Sequence, residues 1–390
     1  VSVVADTPLI TDNIQAQAFY ASSIKLGNYR NYKDLSLKLG ASPVVLTGAN
    51  GSGKTNILEA ISLLSPGKGF RKIKLNDADM IQGGKTVLPW SISAVVNKGF
   101  EEFQIGTGRE LVTDSKRIVK IDGDIVKNQA ELTSIFSVMW LTPQMDGLFI
   151  GSSSDRRKFL DRLVYNFDPE HASRIYSYEY TMRERAKIIQ QPSYDPSWVS
   201  VLEEKMAQRA VSIAAARIDT VEHIQAVINE FKTAFPKADI DVQGGVERIM
   251  LENSALQAEE ILKKQLYESR AMDSRTGRTS VGTHRSDFIA FHNEKCMPAA
   301  SCSTGEQKAL LLSIILAEAR AKALWKGSVP VLLLDEVVAH LDEKRRASLF
   351  EEIFSMQAQV WMTGTDEELF KEIRDKAQFF DVSDGTVTKK

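Results

Sequence analysis

Apolar and polar positions follow two different periods in different parts of the chain. Between Phe19 and Lys98 the apolar residues come in short runs bounded by turn residues. Ile24–Leu26, Leu35–Leu39 and Pro43–Leu46 predict strands there, and Val87–Val96, Glu102–Gly106, Arg117–Ile121 and Val138–Leu141 predict more. From Ser152 to about Arg270 the period becomes helical. Ser152–Ser154 offers an N-cap to a helix over Asp155–Tyr165. Val201, Leu202, Met206, Val211, Ala214, Ile218, Val221, Ile224, Ile228, Phe231 and Phe235 recur every three to four residues, predicting one amphipathic helix over Trp198–Phe235. Such a stripe ordinarily faces a core; the sharper reading is one arm of a short helical hairpin. Strand character returns at Phe288–His292. A long helix over Gly305–Lys326, a buried strand at Val331–Leu334 and a helix–strand alternation to Lys390 follow.

This order predicts an α/β fold, a mixed sheet with flanking helices. Its two parts, residues 19–150 and 275–390, close on each other around an inserted, mainly helical lobe at 151–274 that has room for a short arm. Residues 1–18 read as a flexible tail, since Val1–Gln17 carries acids and no basic segment of the kind that opens a signal peptide.

Composition narrows the function classes. Hydrophobic residues make up 43% and charged residues 26% of 390, as in globular proteins of two or three domains. No apolar stretch is long enough to span a bilayer, so no membrane role is expected. The formal net charge of −2 excludes a polycation, and any nucleic-acid surface must be a local basic patch. Cys296 and Cys302 lack zinc or redox spacing, which fits a reducing, cytoplasmic setting.

Three segments carry chemistry. The run Pro43–Thr47 stops at Gly48-Ala49-Asn50-Gly51-Ser52-Gly53-Lys54-Thr55, and a helical pattern follows (Ile57, Leu58, Ile61, Leu64). That is a complete G-x-x-x-x-G-K-[ST] match in the strand–loop–helix context a P-loop needs. Its glycines let backbone N–H groups turn toward phosphate oxygens, and the helix points its N-terminus at the same charge. Lys54 is expected on the β and γ phosphates and Thr55 on Mg²⁺, with Asn56 adjoining the nucleotide set. The second segment, Val331-Leu332-Leu333-Leu334-Asp335-Glu336, delivers two carboxylates to the end of a buried strand. Asp335 is expected to hold Mg²⁺ through water, and Glu336 to orient and polarise an attacking water. The third, Ser303-Thr304-Gly305-Glu306-Gln307, precedes an apolar helix and by itself reads as a structural N-cap.

The order of these segments resembles the ATPase heads of the ABC superfamily. The resemblance implies that Ser303, Gly305 and Gln307 belong to a signature element binding the γ-phosphate of ATP held by a partner subunit, so that two protomers sandwich two ATP molecules. It also implies a Q-loop at Gln144 that senses Mg²⁺ and γ-phosphate, and a D-loop at Ala339-His340-Leu341-Asp342. Transporter heads carry a switch histidine after the next strand, but Val360-Trp361-Met362-Thr363-Gly364-Thr365-Asp366 has none, and His340 reads as a packing residue. The SMC branch carries long heptad arrays, for which this chain has no room.

Within that superfamily the chain is similar to the RecF family. Asn28–Tyr32, Lys68–Arg71, Trp140–Leu148, Asp155-Arg156-Arg157-Lys158-Phe159-Leu160-Asp161, Gly282-Thr283-His284-Arg285-Ser286-Asp287 and Leu341–Arg346 carry this likeness. It implies a slow Mg²⁺-dependent ATPase that dimerises on ATP and binds gapped or single-strand/double-strand junction DNA. It further implies work with RecR and RecO to help RecA load, and a basic residue near the nucleotide phosphates at Arg71, less well matched at Arg30. Arg156-Arg157-Lys158, then Arg183, Arg185 and Lys187, then Lys72 and Lys74 are candidate DNA contacts, although each by itself reads more readily as a solvated helix or loop face. Aromatic interleaving for base stacking is weak along the sequence. Two rival readings remain: a DNA-binding module with ATP as a non-hydrolysed ligand, and a transporter energy subunit. The carboxylate of Glu336 argues against the first and the missing histidine against the second.

Overall fold

A computed structural model describes residues 17–82, 85–86, 88–111, 116–126 and 130–390. The expected tail lies outside these residues for positions 1–16, as does Val87 of an expected strand; Gln17 and Ala18 open the strand Gln17–Tyr29. The helices in chain order are α1 (Lys54–Ser62), α2 (Ala130–Ile135), α3 (Ser153–Phe167), α4 (His171–Ile189), α5 (Pro196–Glu230), α6 (Gly245–Glu252), α7 (Ala255–Thr276), α8 (Thr304–Lys326) and α9 (Glu343–Met356). The described chain divides into two compact units, one of Val1–Asp146, Glu230–Phe235 and Leu311–Lys390, the other of Gly147–Asn229 and Pro236–Leu310. Residues 275–310, assigned to the ATPase lobe by their pattern, thus fall in the second unit.

The first unit is built on a sheet in the order Val138–Leu141, Val331–Leu334, Val360–Gly364, Val44–Thr47, Gln378–Ser383 and Thr386–Lys389. All neighbours are parallel except the last pair, a hairpin. Continuous apolar runs such as Val331-Leu332-Leu333-Leu334 suit it because both faces are covered. On one side Val44, Leu46, Val331, Leu333 and Trp361 share a core with Ile57, Leu58 and Ile61 of α1 and with Ile24, Leu26, Ile92 and Ala94 of a second, largely antiparallel sheet. On the other, Val45, Leu332, Leu334 and Met362 are equally buried. Registers Leu141↔Leu334, Leu334↔Met362 and Gly364↔Thr47 bring the carboxyl ends of four strands to one edge, the place where open α/β sheets hold ligands.

The second unit packs α4 to α7 around Tyr178, Met206, Ala210, Val211, Ala214, Leu262 and Leu266. Met206, Val211 and Ala214 of the expected stripe on α5 therefore lie in a core, whereas Val201 is exposed. Pro236 disfavours helical backbone at Phe235, and the helix ends earlier still, at Glu230. Beyond it Ala238–Gln243, with alternate residues buried, forms a strand antiparallel to Asp287–His292 inside the stretch expected to be helical.

Arg185 of α4 is wholly buried. Its guanidinium donates to Glu203 Oε1 at 2.9 Å, Asp273 Oδ2 at 2.7 Å and the Leu266 carbonyl at 2.7 Å. Glu203 also accepts two bonds from Arg270. Removing one partner of such a cluster strands the others without water, at a cost of about 3–5 kcal/mol. Arg185→Ala should therefore lower the melting temperature of the full chain by roughly 6–20 °C, at about 2–4 °C per kcal/mol. Thermal unfolding followed by circular dichroism measures this, and an unchanged midpoint would mean that α4 does not depend on the cluster.

Candidate nucleotide site

The P-loop begins where Val44–Thr47 ends. Gly48 has φ 146° and Gly53 has φ 113°, in the region glycine tolerates. A Cβ on Gly48 would meet the Val382 carbonyl oxygen at 2.2 Å, and one on Gly53 would meet Asn31 Nδ2 and Tyr32 Oη at 2.5 Å. Both positions therefore demand glycine twice over, by conformation and by space. Gly53 is also the N-cap of α1. It has no capping side chain, and the first turn holds no acid. The N–H groups and positive end of that helix are thus left to an external anion.

Lys54 lies inside this loop, its Nζ donating to the carbonyls of Gly48 and Ala49 at 2.8 Å each. Burial lowers its pKa, and the charges of Glu336 and Asp335 oppose that. Behind the loop Asn31 Nδ2 donates to the Ser52 carbonyl at 3.3 Å and Asn31 Oδ1 accepts from Asn56 Nδ2 at 2.8 Å. Asn56 Oδ1 takes Arg71 Nη1 at 3.0 Å. Arg30 is committed elsewhere. It grips buried Glu59 through two bonds of 2.9 Å, with Tyr29 Oη on the same carboxylate. Arg71 stands 3.8 Å from Glu59 and is the more exposed of the two, whereas Arg30 is clamped on that carboxylate through its Nε and Nη2.

Asp335 is 3% exposed. Its Oδ1 accepts from Thr55 Oγ1 at 3.0 Å and from Thr363 Oγ1 at 2.8 Å. The same Thr363 hydroxyl accepts the Glu336 backbone N–H at 2.8 Å. Burial raises the Asp335 pKa; the hydrogen bonds from Thr363 and Thr55 work against this, Glu336 adds to it, and Arg71 opposes it. Glu336 holds φ 55°, an uncommon conformation for a residue with a side chain, costing of order 1–3 kcal/mol and found mostly at functional sites. The residue missed by sequence reasoning is Thr363. Its signal was a hydroxyl inside the wholly buried strand Val360–Gly364, where a polar group needs partners.

Gln144 is exposed on the turn Pro143–Met145, just past Leu141, whose carbonyl accepts the Asp335 N–H at 2.9 Å. Asp342 caps α9 through the Arg345 N–H. In the second unit, Ser303 forms a capping box: its Oγ accepts from the Glu306 N–H at 3.4 Å, and Glu306 Oε2 accepts from the Ser303 N–H at 2.9 Å and from its hydroxyl at 2.8 Å. Lys295 grips the same carboxylate, and its hydrogen bond, with those from Ser303, pulls the Glu306 pKa down to about 2. Gly305 is exposed, while Gln307 is buried and donates to the Cys302 carbonyl at 2.8 Å. The N-cap reading of this segment is therefore correct as far as its local structure goes.

Two of the basic clusters need correction. Arg156 binds Asp287 through bonds of 2.8 and 2.6 Å, and Arg157 donates to the Ser286 carbonyl at 2.7 Å. These side chains hold α3 to the strand Asp287–His292 and are no free phosphate surface. Arg185 is buried, as described. Lys158, Arg183, Lys187, Lys72 and Lys74 remain exposed.

Known proteins resemble this chain along nearly its whole length. A family model described as the RecF/RecN/SMC N terminal domain matches residues 20–388. The DNA replication and repair protein RecF of Rhizobium etli is 44% identical over 371 residues, covering 94% of this chain and 98% of its own. That of Rickettsia felis is 43% identical over 359 residues, covering 92% and 97%. Among solved structures, the recombination mediator protein RecF-ATPrS in the RecFOR pathway superposes with a TM-score of 0.84 at 24% identity, covering 96% of this chain and 99% of its own. A Pyrococcus furiosus Smc head superposes with 0.54 at 16% identity over 95% and 96%. At these identities the structural likeness establishes the fold, an SMC-type ATPase head.

Proposed function

The chain belongs to the RecF family of DNA replication and repair proteins, and from that premise we propose a Mg²⁺-dependent ATPase that dimerises on ATP at gapped or junction DNA. Its output is help in loading RecA, together with RecR and RecO, in the cytoplasm. Among the described residues no helix is long and apolar enough to cross a membrane. The observation that carries the reading is the linked set Thr55–Asp335–Thr363–Glu336 beside the uncapped start of α1.

The donors fit Mg²⁺. Thr55 and Asp335 present hard oxygens 3.0 Å apart, and the described residues hold no group of three or more His, Cys, Asp or Glu able to cage a metal. A cation that keeps several waters and takes other ligands from phosphates suits a site so sparsely furnished. Thr55 and, through water, Asp335 would hold it, with Gln144 a further ligand by the family resemblance. When bound it neutralises charge building on the phosphates. The chain does the rest. The backbone N–H groups of Gly51 to Thr55 and the Lys54 ammonium bind and orient the phosphates. Arg71 adds charge at their edge. Glu336, held at an angle to its strand by the Thr363 hydroxyl, orients water and takes its proton. A site meant only to hold ATP has no use for that carboxylate, which favours hydrolysis over the passive-ligand reading.

Dimerisation rests on the signature end of α8. Ser303→Arg should block ATP-driven dimerisation and leave ATP binding to the monomer intact. The added side chain fills the space a partner's γ-phosphate would need, whereas loss of the cap alone costs about 1 kcal/mol. ATP can favour the dimer only through contacts ADP does not make. Sedimentation of wild type and mutant with ADP or a slowly hydrolysed ATP analogue, with and without gapped DNA, tests this. A mutant that still dimerises with the analogue would refute the two-headed ATP sandwich.

A further inference from the structure

The exposed face of α4 carries an unusual order of side chains. Tyr176 is 68% and Tyr180 54% exposed, and Arg183 and Lys187 lie exposed beyond them. At 100° per residue these four fall within an arc of about 60°, extending about 16 Å along the helix. No acid shares the arc; Glu179 and Glu184 flank it, and Glu179 approaches Arg183 at 3.6 Å. The opposite face, with Tyr178, Thr181 and Arg185, is the buried one. A cation near a helix C-terminus has an ordinary electrostatic reason to be there. Two large tyrosines one turn apart, turned into water, have none.

We infer that this stripe is a contact surface for single-stranded nucleic acid, with bases stacking on Tyr176 and Tyr180 and phosphates paired by Arg183 and Lys187. The inference rests on the DNA-binding reading above and locates part of it. Aromatic platforms beside cations bind single strands with little regard to sequence, because every base has a π-face and every nucleotide a phosphate. Positions i and i+4 rise about 6 Å along the helix, so the two rings form successive platforms on which bases of one strand can stack. Sequence spacing hides this surface, since Arg185, between the two cations, is buried, and the tyrosines stand apart from them in the sequence, Tyr176 by seven residues and Tyr180 by three from Arg183.

The test uses the full chain with Mg²⁺ and a slowly hydrolysed ATP analogue, and measures binding of a labelled 20-nucleotide oligothymidine and of a duplex of equal length by anisotropy. Tyr176→Ala with Tyr180→Ala should weaken single-strand binding at least about tenfold and leave duplex binding within about threefold, because paired bases have no free face to stack. Tyr176→Phe with Tyr180→Phe should keep single-strand affinity within about twofold. Arg183→Ala with Lys187→Ala should flatten the single-strand log–log salt slope by about 1.4, at 0.7 per phosphate contact. All six side-chain changes lie on the solvent face, and unchanged melting temperatures verify folding. If wild type binds the oligomer and the alanine variants bind it equally well, the stripe is wrong and DNA binding lies elsewhere. Equal losses in the phenylalanine and alanine pairs would point to a hydroxyl-dependent protein contact and overturn stacking. Wild type that binds neither oligomer nor duplex would sink the DNA-binding reading and this surface with it.

Discussion

Glu336→Gln should bind ATP as the wild type does and hydrolyse it 10²–10⁴-fold more slowly, a loss of roughly 3–5 kcal/mol in transition-state stabilisation. The substitution is conservative in the right respects. Glutamine keeps the volume, and the backbone N–H at this position still donates to Thr363. What disappears is the ability to accept a proton. The mutant should therefore accumulate as an ATP-bound dimer, seen as a slower exit from the sedimenting dimer and as absent phosphate release. The left-handed backbone supplies a control. Glu336→Gly removes the side chain but suits φ 55°, so it should be as inactive and no less stable. Turnover at the wild-type rate in Glu336→Gln would put the catalytic base elsewhere.

Lys54→Ala should weaken ATP binding by about 10²–10³-fold or more, since truncating one member of a buried charged pair commonly costs 2–5 kcal/mol. Two effects add. The ammonium is buried in the loop with Asp335 and Glu336 in its field, and the triphosphate would bring further negative charge to a site that has lost its one lysine. The same ammonium also ties the carbonyls of Gly48 and Ala49, so its loss loosens the loop that orients the N–H groups. Calorimetric titration of wild type, Lys54→Ala and Lys54→Arg measures this. Wild-type affinity in the alanine variant would remove the P-loop assignment altogether.

Much of this site is legible in the sequence because it depends on local order. The strand Val331–Leu334 ends where its apolar run ends, and the next two residues must then emerge at the sheet edge. The glycine pattern likewise announces backbone that no other residue can adopt at Gly48 and Gly53. Features made by partners distant in the chain were not legible. Nothing near Arg156 says that Asp287, 131 residues on, will take its guanidinium. Arg185 looks like its neighbours Arg183 and Lys187 until helix phase turns it inward between α5 and α7. The strand Ala238–Gln243 escaped notice because six alternating residues, placed between helices, carry too weak a signal to overrule the helical period around them. Its partner, Asp287–His292, comes more than forty residues later.

The capping box at the start of α8 bears on how ATP would join two heads. Ser303 is not idle: its hydroxyl and N–H are both engaged with Glu306, itself steadied by Lys295. A partner's γ-phosphate arriving there would have to displace a resident carboxylate. Pairing would then be an exchange of one anion for another, and its driving force the difference between them. Such a junction would be latched when alone and biased only by that difference when joined, so the union of two heads would stay reversible and the loss of a single phosphate would undo it.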